Sequence, residues 1–235
     1  MSGSAPAITV AVVAGFRAEA RGLDRLEITV AFSGGSAERA SAEAERLVGE
    51  GAAALVSFGL AGGLAPELRP GDLLLPEAVR DARGASWPVE RAWRERVRAR
   101  LENGGIAPEA GAIAGSDRIL ATAADKKGLF EATGARAVDM ESHAVAAVAS
   151  AAGIPFLTLR VLADPADQVV PQVAREALRP DGRIRVRATF GGLLRAPGEL
   201  VPLVRLARQS ASALKVLRRA ALLAGPRLGF TPSPE

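Results

Sequence analysis

Apolar residues along this chain gather in short β-branched runs separated by stretches with helical spacing. Ile8 to Gly15 is a continuous apolar run and reads as a buried strand, followed by a short turn or helix from Arg17. Leu26 to Phe32 reads as a second strand. Ser33-Gly-Gly-Ser36 then breaks the pattern, and Ala37 to Glu50 has helical composition with Ser36 placed to cap it. Ala53 to Phe58 forms a further strand that enters the glycine-rich stretch Gly59-Leu-Ala-Gly-Gly63. Asp72 to Pro76 is a short strand after a Pro-Gly turn, Trp87 to Glu102 a charged helix, and Ala110 to Gly115 a strand. Residues 138 to 142, Val-Asp-Met-Glu-Ser, open an Ala-rich helix feeding a strand that ends in Arg160, with Asp164 four residues beyond. Alternation of this kind predicts an α/β fold, with a mixed or parallel sheet covered on both faces.

From Arg195 the pattern changes. Pro202 suits a first helical turn. Leu203, Ala207, Leu214, Leu217 and Ala221 then share one helix face, and Arg205, Arg208, Lys215 and Arg219 another. Residues 1 to 182 carry 20 Lys/Arg against 24 Asp/Glu, net −4, and residues 183 to 235 carry 10 against 2, net +8. The spacing predicts a domain over 1–190 and a basic amphipathic extension over 191–235. Two readings of that helix stand side by side: packing on the domain with a solvated cationic face, or docking on an anionic membrane surface.

With 235 residues, 49% of them hydrophobic, the chain is long enough for a substantial core. It has no cysteine and a single histidine, His143, so thiolate ligation and a multi-histidine metal centre are not expected. The N-terminal apolar run is too short for a secretory signal or a membrane span, and a cytoplasmic protein is expected. Aromatic residues are 4% and none interleaves with the Arg/Lys of the tail, which argues against nucleic acid as a partner.

Four segments together resemble the purine nucleoside phosphorylase and nucleosidase superfamily: Val13-Ala-Gly-Phe-Arg-Ala-Glu19, Gly59-Leu-Ala-Gly-Gly-Leu-Ala-Pro66 with Pro70-Gly-Asp72, Ala137-Val-Asp-Met-Glu-Ser142, and Arg160-Val-Leu-Ala-Asp164. They look closest to methylthioadenosine/S-adenosylhomocysteine nucleosidases and futalosine hydrolases. The basic tail, preceded by Arg179-Pro-Asp-Gly-Arg183, looks most like hopanoid-biosynthesis-associated phosphorylase-like proteins, thought to act on adenosylhopane. The resemblance implies a nucleoside phosphorylase-like, three-layer αβα sandwich with a central mixed sheet, and cleavage of an N-glycosidic bond. It implies that Asp164 donates a proton to the leaving purine and that Glu19 orients and deprotonates water. It also implies that Glu141 grips the ribose hydroxyls with Met140 beneath the sugar. Gly59, Gly62 and Gly63 would let the backbone approach ribose or an anion, and Ile119 and Leu120 would meet the purine.

Each of these residues also has a plain reading. Asp164 could cap the turn fixed by Pro165, Glu141 could be a favourable anion in a first helical turn, with Met140 ordinary core, and Glu19 could be a solvated acid. The glycines could serve a tight turn, Asp117 and Arg118 a surface ion pair, and His143 an interface or surface position. Lys126 and Lys127 read as an exposed helix face.

A phosphorylase needs a cationic pocket for a dianion. Ser57 and Leu60 stand where the resemblance would place its arginine and serine, so hydrolysis is favoured, phosphorolysis being the alternative. Arg17 would restore an anion site if it turned inward. No cofactor is expected beyond water, or phosphate if phosphorolytic. The expected partners are a small nucleoside, lipid-linked in one reading, a membrane surface met through the tail, and further copies in a homodimer or larger assembly. The non-enzymatic alternative is a nucleoside sensor or membrane-associated scaffold.

Overall fold

The computed structural model describes residues 9–177 and 196–231. Nine strands form one mixed sheet: β1 (Thr9–Ala14), β2 (Ile28–Phe32), β3 (Ala52–Gly63), β4 (Leu73–Leu74), β5 (Ala78–Asp81), β6 (Ser86–Pro88), β7 (Ala112–Gly115), β8 (Ala137–Asp139) and β9 (Phe156–Asp164). Helices α1 (Ala37–Gly49), α2 (Arg91–Asn103), α3 (Ala123–Thr133), α4 (Ser142–Ala152), α5 (Gln172–Ala177) and α6 (Leu200–Ala224) flank it. The strand order is β2-β1-β3-β8-β7-β5-β6, with β9 on the other edge of β3 and β4 beyond it. This is the expected three-layer sandwich with a mixed central sheet.

β1, β3 and β9 run parallel and are almost continuously apolar, as strands covered on both faces must be. Ser36 caps α1 as its sequence predicts, its hydroxyl accepting from Arg39 N at 3.3 Å. Several boundaries differ from the sequence pattern. β3 does not stop at Phe58 but continues through Gly59 to Gly63, because β9 supplies a parallel partner for that stretch. Trp87 lies in the short strand β6 rather than in a helix, and Glu90 caps α2 by accepting from Ala92 N at 3.0 Å. β9 runs past Arg160 to Asp164.

One feature of the pairing positions the site. β1 leaves β3 after the pair Ala14 with Phe58, and β8 joins the same edge only at Gly62 with Val138. Gly59 to Ala61 are therefore paired with β9 alone, and the sheet splays open beside them. On the β9 side the register shifts between Ala61 and Gly62, which pair with Leu162 and Asp164, so Ala163 is skipped. A bulge of this kind re-aims the side chain that follows it.

α6 buries Ala213, Leu217, Ala220, Ala221 and Ala224 in the same hydrophobic cluster as β1, β3 and β9. Its first turns are different: Leu200, Val201, Val204 and Ala207 are exposed, as are Arg205, Arg208, Lys215 and Arg219. The C-terminal half of the helix is thus core, and Ala207 does not belong to the buried stripe. The boundary at 190/191 and the segment Arg179 to Arg183 lie outside the described residues. After α6 the chain is pinned by Trp93, whose indole donates to Leu228 O at 2.8 Å and packs edge-on against Phe230 at 4.9 Å. No helix among the described residues is long and apolar enough to cross a membrane.

Candidate active site

The splayed edge of β3 is filled by carboxylates carried from the ends of β1 and β8. Glu19 sits in the turn after β1, with Oε1 accepting from Leu60 N at 2.9 Å and Oε2 from Phe16 N at 2.8 Å. Leu60 N is a strand donor that neither β1 nor β8 reaches, so the carboxylate takes the place of a missing strand. Glu141 follows β8, where Asp139 Oδ1 accepts from Ser142 N at 3.0 Å and fixes the first turn of α4. The Glu141 carboxylate lies near Ser33 Oγ, at 3.5 Å, and is buried. Absent side chains make room for both acids. A Cβ at Gly15 would fall 2.9 Å from Glu141 Oε1 and 3.1 Å from Glu19 Oε2, and one at Gly59 would fall 2.7 Å from Glu19 Oε1.

Arg160 is the cation of the cluster. It projects from β9 with 1% exposure, its Nε 2.6 Å from Asp139 Oδ2 and its Nη2 3.5 Å from Glu141 Oε2. Nη2 donates to Ser57 Oγ at 2.6 Å and to Ser142 Oγ at 3.2 Å. Among the described residues neither its buried Nη1 nor its Nε makes a hydrogen bond, although Nε lies close to Asp139, and Nη1 would be the first atom struck by a Cβ on Gly59. Nη1 is thus a donor left on the Gly59 side of the cluster.

Three acids around one cation cannot all ionise without cost. Burial lifts the Glu19 carboxyl above its ordinary range, against the opposing pull of Arg160 and the backbone donors of Leu60, Phe16 and Gly15. Burial also lifts Glu141, to about 8, opposed by Arg160 and reinforced by Asp139 and Glu19. For Arg160, burial works against the charge, but Asp139, Glu141 and Glu19 outweigh it and its pKa is raised.

Asp164 closes the other end. It faces Gly62, three residues along β3 from Gly59 and so roughly 10 Å away at strand rise. A Cβ at Gly62 would meet the Asp164 carboxylate oxygens at 3.5 and 3.6 Å, and one at Gly63 would meet Asp164 O at 3.1 Å. Burial raises the Asp164 carboxyl, and Lys126 opposes the rise. Lys126 is not on an exposed face: it is as buried as Arg160 and its ammonium contacts Asp164 Oδ2 directly. Lys127 does lie in solvent.

The remaining expected positions fall as follows. Gly59, Gly62 and Gly63 stand in a strand, not a loop, and clear space for Glu19, Arg160 and Asp164. Met140 is half-buried between Asp139 and Glu141. Leu120 packs into a small cluster with Leu64 and Val138, beside half-buried Ile119. Leu120 also lines an open cleft of about 810 Å³ bounded by Gly115 to Arg118, α3, His143 and the turn at Asp81 to Arg83. Asp117 and Arg118 do not pair with each other: Asp117 meets His143 Nε2 at 3.0 Å, and Arg118 meets Asp125 at 3.3 Å. Arg17 turns outward over the ring of Phe32 at 5.0 Å and supplies no anion site. Sequence spacing missed Arg160, Asp139 and Lys126. The available signal was a lone arginine inside the otherwise apolar β9 run Phe-Leu-Thr-Leu-Arg-Val-Leu-Ala.

Residues 4–195 match the model of the phosphorylase superfamily. The chain belongs to that superfamily, and it is an enzyme. No curated protein matches the sequence. Among solved structures it resembles the 5′-methylthioadenosine/S-adenosylhomocysteine nucleosidase of Helicobacter pylori with 5′-methylthioadenosine in the active site. That match has 17% identity and a TM-score of 0.67, over 91% of this chain and 97% of the other. It also resembles the S-adenosylhomocysteine nucleosidase of Streptococcus pyogenes in complex with 5-methylthiotubericidin, at 18% identity and a TM-score of 0.66 over 94% and 99%. A third resemblance is to the futalosine hydrolase of Helicobacter pylori, at 18% identity and a TM-score of 0.62 over 67% and 88%. At such identities these likenesses establish the fold.

Proposed function

We propose that the protein hydrolyses the N-glycosidic bond of a purine nucleoside. The observation that carries this reading is the set of three buried acids, Glu19, Glu141 and Asp164, brought to β3 by the ends of β1, β8 and β9, the first two sharing Arg160 with Asp139 and the third paired with Lys126. Breaking the bond builds positive charge on the sugar and negative charge on the base, and the enzyme must stabilise both together. Glu141 takes the sugar hydroxyls as an acceptor, close to the developing cation. Glu19, held by two backbone donors, takes a proton from water as the water oxygen bonds to the sugar carbon. The electron pair of the C–N bond passes to the base, and Asp164 supplies its proton. Ile119, Leu120 and Met140 provide apolar contact for base and sugar.

Water is favoured over phosphate on electrostatic grounds. A phosphate dianion entering beside Glu19 would meet Asp139 and Glu141 as well, against the single guanidinium of Arg160. The nucleosidases and the futalosine hydrolase that share the fold lend support. The test is release of free adenine from adenosine-type nucleosides with and without phosphate. Free ribose as the second product supports hydrolysis; ribose 1-phosphate would overturn it, and no adenine from any nucleoside would remove the reading altogether.

The finer part of the proposal concerns the 5′ substituent, which we take to be apolar, with adenosylhopane as the candidate of that kind. Val169, in the loop after Asp164, and Leu200, Val201 and Val204 of α6 are all exposed, beside a cationic helix face suited to an anionic lipid surface. Adenine release across nucleosides of increasing 5′ apolarity tests it. A preference for the short, polar members would sink it.

A further inference from the structure

Lys126 plays no part in the scheme above, yet it is buried to 1% exposure. It reaches from α3, and its Nζ donates to Asp164 Oδ2, to Pro165 O at 2.8 Å and to Gln168 O at 3.1 Å. Three acceptors thus surround an ammonium that has three protons to give. Burying such a charge costs several kcal/mol before pairing, and besides the loop carbonyls of Pro165 and Gln168 the group it meets is the Asp164 carboxylate. The cation stands against the one group of the scheme that must release a proton to the leaving base.

Asp167 of the same loop and Arg208 of α6 are exposed to solvent, and the groups that the neighbouring strands offer are uncharged. β3 offers Gly62, and β9 offers Leu162 and Ala163. α6 offers Gln209, whose amide oxygen accepts from Gln168 Nε2 at 3.0 Å. Arg118 and Asp125, on the neighbouring strip and on α3, are paired with each other towards solvent, and His143 is paired with Asp117. Among the described residues, Lys126 is therefore the charge that faces Asp164.

We propose that Lys126 is a positioning residue that sets the acid strength of Asp164, its ammonium stabilising the carboxylate left once the proton has passed to the purine nitrogen. This rests on the nucleoside-cleaving reading. The proton moves from Asp164 to the base as the C–N electron pair collects there, and Lys126 itself exchanges none. In so dry a site Asp164 alone would hold its proton too tightly to be a good donor; the neighbouring cation makes the transfer more favourable. Burial raising Asp164 and Lys126 drawing it back agree with that division of labour.

The experiment replaces the cation without emptying its space. Lys126→Met removes the charge at similar length. Lys126→Cys adds the only cysteine of the chain, so that alkylation of the unfolded variant with bromoethylamine, followed by refolding, restores an ammonium, whereas iodoacetamide leaves a neutral adduct of similar size. On adenosine, Lys126→Met and the neutral adduct are expected to lose about 10- to 100-fold in kcat, less than the roughly 100- to 10,000-fold that the acid itself contributes, while the aminoethyl adduct recovers. An acid must be protonated to act, so activity falls as pH rises past its pKa. Removing the cation raises that pKa and moves the alkaline limb of the kcat profile to higher pH. On 4-nitrophenyl riboside, whose leaving group departs without a proton, all forms are expected to turn over alike. Equal loss on both substrates, an unmoved alkaline limb, or charged and neutral adducts of equal activity would overturn the proposal. The unaltered protein reports separately on the underlying reading, which fails if neither adenosine-type nucleosides nor the nitrophenyl riboside is cleaved.

Discussion

Leu60 donates its backbone N–H to Glu19 at 2.9 Å across a gap where β1 has left β3 and β8 has not yet joined it. The carboxylate is therefore fixed by the backbone of a strand edge rather than by another side chain, and its second oxygen by Phe16 N. An acid held in this way can change protonation without losing its place.

Glu19→Gln should keep the fold, because the amide oxygen still satisfies one of the two donors, while turnover falls about 100- to 10,000-fold through loss of the base. Steady-state adenine release beside a thermal melt checks it. Near-normal kcat would remove Glu19 from its role.

Glu141→Gln should be no more stable than the unaltered protein near pH 4 and more stable near pH 8. Unfolded, this carboxyl ionises at its ordinary value of 4.5; folded, it holds its proton to about 8. Over that window the unfolded state is favoured increasingly as pH rises, and glutamine lacks the effect. The gain should reach a few kcal/mol at most, at the expense of sugar binding. Melting temperatures against pH decide it, a pH-independent difference being the contrary result.

Arg160→Met should destabilise the protein by about 3–5 kcal/mol, since Asp139, Glu141 and Glu19 lose their shared cation. The loss should be smallest in acid, where the carboxyls are protonated, and grow with pH. Urea unfolding at pH 5 and pH 8 measures it; a loss equal at both would mean that packing, not charge, is the role of Arg160.

Replacing Val169, Val201 and Val204 by serine should leave stability within about 0.5 kcal/mol per site, as for other exposed positions. Turnover of nucleosides with long apolar 5′ groups should weaken while that of adenosine persists. Parallel decline on both substrates would argue that this patch does not meet the substituent.

The strands that are apolar on both faces were legible in the sequence, and so was α1, because Ser36 and the run behind it carry the signal within a few residues. The stretch Gly59 to Gly63 was not: as a sequence it is a turn, and only the parallel partner β9, a hundred residues later, makes it a strand. The acids Glu19, Glu141 and Asp164 were found through the likeness of short motifs. Their neighbours were not, since the burial of Lys126 depends on which face of α3 meets the loop after β9, and periodicity on a polar helix does not carry that. The exposed start of α6 also escaped, because its leucines and valines repeat like core residues and only tertiary packing leaves them uncovered.

The loop that follows Asp164 is moored from several directions: to Lys126, through Val170 N to Ala121 O at 2.9 Å, and through Gln168 to Gln209 on the terminal helix. That helix is consequently a strut for the leaving-base end of the cleft. Substitution of Gln209, far from any reacting atom in the sequence and outside the buried half of the helix, would register as faulty proton delivery before it registered as unfolding.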